Sequence, residues 1–174
     1  MNVVQELAAR TLLVILAAAV VQDFMYMKIS NRLILMGILF SLAFGLTTGG
    51  PKQVIYVLAN LSFPVIVLYL LYLLGVLGAG DIKLFSIIGG FTNFRLLISC
   101  MFFSFVAAAV IAVCKMLYNR NFCSSLLRAG TYFRSLRQEG IVSYHKEWAE
   151  HRNLMHFSVA ILIGYIAAVA VQVL

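Results

Sequence analysis

Apolar residues in this chain run in long blocks rather than at the alternating or one-sided spacing of a soluble domain. Residues 11–27, 33–48, 54–77, 96–116 and 154–174 each approach the roughly 20 residues that a helix needs to cross a hydrocarbon core. A sixth block, 82–94, is shorter and carries Gly89 and Gly90. It reads as a short spanning helix because the distribution of charge then falls into place. Lipid offers the backbone no partners, so every block is expected to be α-helical. The pattern therefore predicts an all-α integral membrane protein. It has six transmembrane helices, the fourth short, in one membrane-embedded domain over residues 1–174.

Four connections between the blocks are short: 28–32, 49–52, 78–81 and 92–95. The long connection, 118–153, collects most of the charge. Its stretch 121–138 mixes Phe122, Leu126, Tyr132, Phe133 and Leu136 with Arg128, Arg134 and Arg137. That mixture suits an interfacial helix lying on an anionic cytoplasmic leaflet. A basic loop acting only as an orientation signal is the alternative.

Composition removes the soluble classes. Of 174 residues, 63% are hydrophobic and 11% charged, against about half and about a quarter in an ordinary soluble domain. The net charge of +7 does not imply nucleic acid, because the basic residues lie between the apolar blocks, as membrane orientation requires. With the N-terminus outside, ten are cytoplasmic: Lys28, Arg32, Lys83, Lys115, Arg120, Arg128, Arg134, Arg137, Lys146 and Arg152. Arg10, Lys52 and Arg95 are outside. Both termini are thus expected outside a plasma membrane. Arg10 before an apolar run imitates a secretory signal, but Glu6 offsets it and the run continues past Asp23, so no cleavage is expected. Cys100, Cys114 and Cys123 form no C-x-x-C pair and share no ligand spacing with His145, His151 or His156, so no metal is expected. Cys100 and Cys114 read as buried free thiols.

The carboxylates change the picture. Glu6, Glu139, Glu147 and Glu150 fall where water is available, whereas the only two aspartates, Asp23 and Asp81, fall at membrane segments. A charge at membrane depth costs at least about 2.5 kcal/mol and is a functional candidate by default. The first helix runs inward and the fourth outward, so residues 58 positions apart reach the same cytoplasmic depth. Two neighbouring carboxyl groups in a low dielectric hold one proton between them. The ionised member can activate water and the neutral member can donate to a scissile carbonyl, with no metal or cofactor needed. Two other roles stay open at this point: caps or ion pairs with Lys28, Arg32 or Lys83, and ion or proton transport.

Asp81 closes the run Gly78-Ala79-Gly80-Asp81, followed by Ile82 and Lys83. Two glycines at a helix start permit positive φ and close approach of a substrate backbone, or simply make a turn. The helix start favours a carboxylate. Lys83, two residues on, does not face Asp81; it is expected to reach the interface and fix orientation.

These residues resemble the type IV prepilin peptidase family, membrane aspartic proteases with a G-x-G-D motif. The motif is matched by Gly78, Ala79, Gly80 and Asp81, with Lys83 and Leu84 following. Asp23 followed by Ile29-Ser30-Asn31 is similar to the family's first catalytic aspartate and its downstream Ile-Pro-Asn, with Ser30 in place of proline. That exchange is expected to loosen the turn after the first helix. The resemblance implies Asp23 and Asp81 as catalytic residues, with Gly78, Gly80, Lys83 and Asn31 in support. It implies as substrate a prepilin or pseudopilin precursor, cleaved after a glycine where a short basic leader meets an apolar helix. The short form looks most like the Flp, or tight-adherence, branch and the archaeal preflagellin peptidases. It lacks the cysteine-bearing domain of the bifunctional members, so methyl transfer is not expected. Presenilin-like proteases share G-x-G-D but differ around the first aspartate.

Readings from other classes are a carboxylate-dependent small transporter or proton channel and a noncatalytic pilus assembly factor. A transporter would need polar residues lining a path. Asn60, Ser62, Ser86, Ser99, Ser104 and Ser158 are instead scattered, as helix packing would have them.

Overall fold

The computed structural model describes residues 3–74, 76–118 and 157–173. Among them are five α-helices and no strand: α1 (Val3–Tyr26), α2 (Asn31–Leu73), α3 (Ala79–Phe91), α4 (Phe94–Tyr118) and α5 (Phe157–Val173). The expected interfacial helix at 121–138 lies outside the described residues. The chain divides into two compact units, Met1–Ala107 with His156–Leu174, and Ala108–Met155. Apart from the C-terminal part of α4, everything described below lies in the first unit.

Blocks 33–48 and 54–77 were expected as separate helices, and they form the single element α2. Drawn straight, its 43 residues would reach about 65 Å, twice the hydrocarbon core of about 30 Å. It is not straight. Gly50 sits at φ 65, ψ −154, a region essentially confined to glycine, and Pro51 follows where a helix start tolerates it. A Cβ at Gly45 would lie 3.0 Å from Val57 Cγ2. Ile34 and Ile38 share a groove of about 550 Å³ with Val65 and Ile66. Those pairs can meet only if the chain folds back, so α2 is a helical hairpin with limbs 31–49 and 51–73. Nothing lies within 4 Å of a Cβ at Gly50, so an alanine there meets backbone strain alone. Gly50→Ala is expected to lower stability by about 1–3 kcal/mol, read as an earlier unfolding midpoint of the purified protein in detergent. An unchanged midpoint would show that the reversal does not need this conformation.

α3 is the hub. Eight of its 13 residues, Ile82 and the run from Leu84 to Gly90, are buried. It packs against both limbs of α2 and against α1 and α5. At about 20 Å it is short for a membrane span, but protein surrounds it. Gly89 and Gly90 are sites of close approach. Pro64 has no N–H to offer the Asn60 carbonyl four residues back, and a Cβ at Gly89 would collide with that exposed Asn60 oxygen. A Cβ at Gly90 would lie 2.7 Å from Ser41 Oγ. The Asn60 amide donates to the Thr92 carbonyl at 3.2 Å, fastening the end of α3 to the hairpin.

The surface is apolar. Ile66 is 74% exposed, Met25 68% and Phe102 63%, and three helices (Glu6–Tyr26, Asn31–Leu73 and Phe94–Lys115) are long and apolar enough to cross a membrane. An inner core with apolar residues turned outward is the arrangement of a chain dissolved in lipid. Cys100 is buried as expected, but Cys114 is exposed. On a lipid-facing helix a thiol needs no protein cover, since it behaves as a small hydrophobe.

Candidate active site

On α1 the buried residues Leu12, Leu16 and Ala19 are spaced by four and three, which places them on one face. Asp23 is the next position of that stripe, so the helix that packs on the core turns its only aspartate inward. One turn later α1 ends. The Met27 amide bonds the Asp23 carbonyl at 2.9 Å, and Met27 has φ 50, in the left-handed region, as at many helix C-termini.

The connection that follows is tied down on both sides. The Ser30 amide donates to Gln22 Oε1 at 3.0 Å, beside Asp23. The Ser30 hydroxyl accepts from the Arg32 amide at 3.2 Å and caps α2. A proline at position 30 could make neither bond. Serine thus replaces ring rigidity with two hydrogen bonds. Ile29 lies against the start of α3, where a Cβ at Gly80 would come within 3.2 Å of Ile29 Cδ1. Asn31 Oδ1 accepts from Lys83 Nζ at 2.9 Å. Lys83 is exposed, as expected for a residue at the edge of the core, but its ammonium holds the head of α2 to the first turn of α3.

Asp81 is the third residue of α3, inside the helix rather than in the turn before it. Its Oδ2 accepts the Gly78 amide at 3.2 Å, half of a capping box. Gly78 has φ −75, and neither it nor Gly80 adopts positive φ. Their reason is space, which corrects the expectation of backbone freedom. A Cβ at Gly78 would lie 3.1 Å from Asp81 Oδ2, and Gly80 clears Ile29. Among the described residues no basic side chain pairs with Asp81; the ion pair present is Arg10–Glu6, on the surface.

Ile29 against Gly80 and Lys83 on Asn31 bring the end of α1 and the first turn of α3, and with them Asp23 and Asp81, to one end of the core. Asp23 Oδ2 also accepts the Ser158 hydroxyl, from the first turn of α5, at 2.6 Å. The end of α1 and the starts of α3 and α5 thus converge. Phe85, Phe105 and Phe157, from α3, α4 and α5, pack with ring centroids 5.9–6.3 Å apart and hold that first turn of α5 in place.

Ser62, Ser86 and Ser104 each bond a carbonyl of their own helix, as helix packing predicts. Ser158 does not belong with them. The sequence signal for it is its place at the head of the buried stripe Ser158, Ile161, Tyr165 and Ala168. Gln22 was also missed, since only the fold shows that it takes the Ser30 amide. Cavity size is a poor guide to this site: a cavity of about 940 Å³ lies at the opposite end of the unit, lined by residues such as Thr48, Gln53, Thr92 and Gln172. Neither aspartate lines it.

No curated protein and no solved structure matches the chain. The model of the type IV leader peptidase family matches residues 11–113, a stretch that takes in both aspartates and the whole α2–α3 assembly. Covering more than half of a membrane-type helical chain, that match makes the protein a member of the type IV leader peptidase family.

Proposed function

We propose that the chain is a membrane aspartic endopeptidase that removes the leader of prepilin or pseudopilin precursors at the cytoplasmic face. One observation carries the reading. In a member of a leader peptidase family, the two aspartates of the described residues come from separate helices to one end of an apolar core. Counting both limbs of α2, the chain crosses the plasma membrane six times with its termini outside. The basic residues Lys28, Arg32 and Lys83 share the aspartates' end, as cytoplasmic placement requires.

The chemistry follows from one proton shared by two carboxyl groups. The ionised carboxylate draws a proton from a water molecule as its oxygen attacks the scissile carbonyl. The neutral carboxyl donates to the carbonyl oxygen, giving a tetrahedral diol. As that intermediate collapses, one of its hydroxyls returns a proton to the carboxyl that had donated one, and the C–N bond breaks. The leaving amine takes a proton from the pair and becomes the new N-terminus. Asp23 and Asp81 do this work, while Gly78 and Gly80 make room and Lys83 with Asn31 locks the two turns together.

The test is cleavage in membranes. The chain is co-expressed with a pilin precursor from the same genome, and the precursor's size is followed. Conversion to the shorter form, cut where the leader meets the apolar segment, is expected. Precursors that stay intact beside well-inserted protein would overturn the reading.

A further inference from the structure

α5 lies beyond the stretch that the family model matches, yet its first turn reaches Asp23. The Ser158 hydroxyl donates to Asp23 Oδ2 at 2.6 Å across 135 positions of sequence, a length typical of a hydroxyl bonded to a carboxylate. Ser158 is 1% exposed. A hydroxyl has a single proton to give. Ser41, Ser86 and Ser104, the other buried serines among the described residues, give theirs to a carbonyl of their own helix. Ser158 gives its proton across an interface. The two carboxyl groups are therefore held by different means. Asp81 is held by the Gly78 amide of its own turn, and Asp23 by a side chain from another helix.

We propose that Ser158 is a positioning residue of the peptidase. Its hydroxyl fixes one oxygen of Asp23 and with it the orientation of the carboxylate relative to Asp81. The inference rests on the aspartic-peptidase reading of that pair. Asp23 stands one turn from the end of α1, where side chain and backbone are least constrained. A displacement of about 1 Å at a reacting group costs on the order of 100-fold in rate. A short hydrogen bond from a buried donor is a direct way to prevent that displacement.

The experiment measures kcat and KM for precursor cleavage by the full chain in membranes, normalised to inserted protein. Ser158→Ala is expected to lower kcat about 10- to 100-fold, the loss of one hydrogen bond to a charged group. KM is expected to stay within about threefold, because no substrate contact is removed. Ser158→Thr, which keeps the hydroxyl, is expected to restore most of kcat. Ser158→Ala turning over like wild type would overturn the proposal, and so would equal impairment of the Ala and Thr variants, which would mark a packing role. If the Ala variant does not accumulate, Ser158→Cys keeps the volume with a weak donor, and wild-type turnover there would overturn the proposal equally. A wild-type chain that leaves precursor intact removes the peptidase reading itself, and that result is visible before any variant is made.

Discussion

Replacing either Asp23 or Asp81 by asparagine is expected to abolish precursor cleavage, by at least about 1,000-fold, while the protein still accumulates in the membrane. The local structure explains why accumulation survives. Asparagine keeps an oxygen that can accept the Ser158 hydroxyl at position 23 and the Gly78 amide at position 81. It also removes a charge that is costly at membrane depth. What it cannot do is take a proton from water or return one to a leaving amine. Since the pair acts as a unit, the double variant is expected to be no worse than either single one. Asp→Glu at either site is expected to fail as well, because an added methylene moves the carboxyl off its donor. Single variants that lose accumulation along with cleavage would point to a structural pair. Variants that still cleave but lose ion flux would point to transport.

The largest expected effect on stability is at Gly164, in the middle of α5. A Cβ there would collide with Ser104 Oγ and would lie 2.5 Å from Ser104 N and 2.7 Å from its Cα. The contact with the backbone decides the outcome, since rotating or trimming the Ser104 side chain does not relieve it. Gly164→Ala must push α5 away from α4, at about 1–3 kcal/mol or more, as for other overpacked cores. Small residues at a crossing of membrane helices exist to permit such approach. Displacing α5 also carries Ser158 away from Asp23, so residual activity is expected to fall further than the amount of folded protein does. Thermal unfolding in detergent, beside cleavage per inserted molecule, separates the two effects. Ser104→Ala combined with Gly164→Ala is expected to stay destabilised. Full rescue by Ser104→Ala would mean that the collision was with the hydroxyl alone.

Much of this molecule was legible without coordinates. Block lengths and the scarcity of charge settle the solvent, because hydropathy is a sum over local composition and does not depend on contacts. Asp23 and Asp81 stood out because a carboxylate costs too much at membrane depth to sit there idly. Their convergence could be inferred from the direction of travel of two helices. Gly50-Pro51 was recognisable as a connection, although not as the bend of one continuous hairpin.

What remained hidden is what depends on one surface meeting another. Gly78 and Gly80 looked like backbone freedom, and the fold shows them as space for Asp81 and Ile29. Ser30 looked like a weakened turn, and the fold gives it two hydrogen bonds. Gly89 looked like an interruption of a short block, and the fold shows it where a Cβ would collide with the Asn60 carbonyl. Ser158 resembled every other serine in an apolar helix until α5 was laid beside α1. The membrane setting, the helical character of the chain and the two carboxylates could be read from residue order, because solvation cost and backbone hydrogen bonding act within a segment. Which hydroxyl reaches Asp23 and which glycines clear which neighbours emerged with the fold. Apart from Gly78 and Asp81, which share one turn, the partners lie from 12 to 135 positions apart, and they are chosen by packing shape rather than by any local propensity.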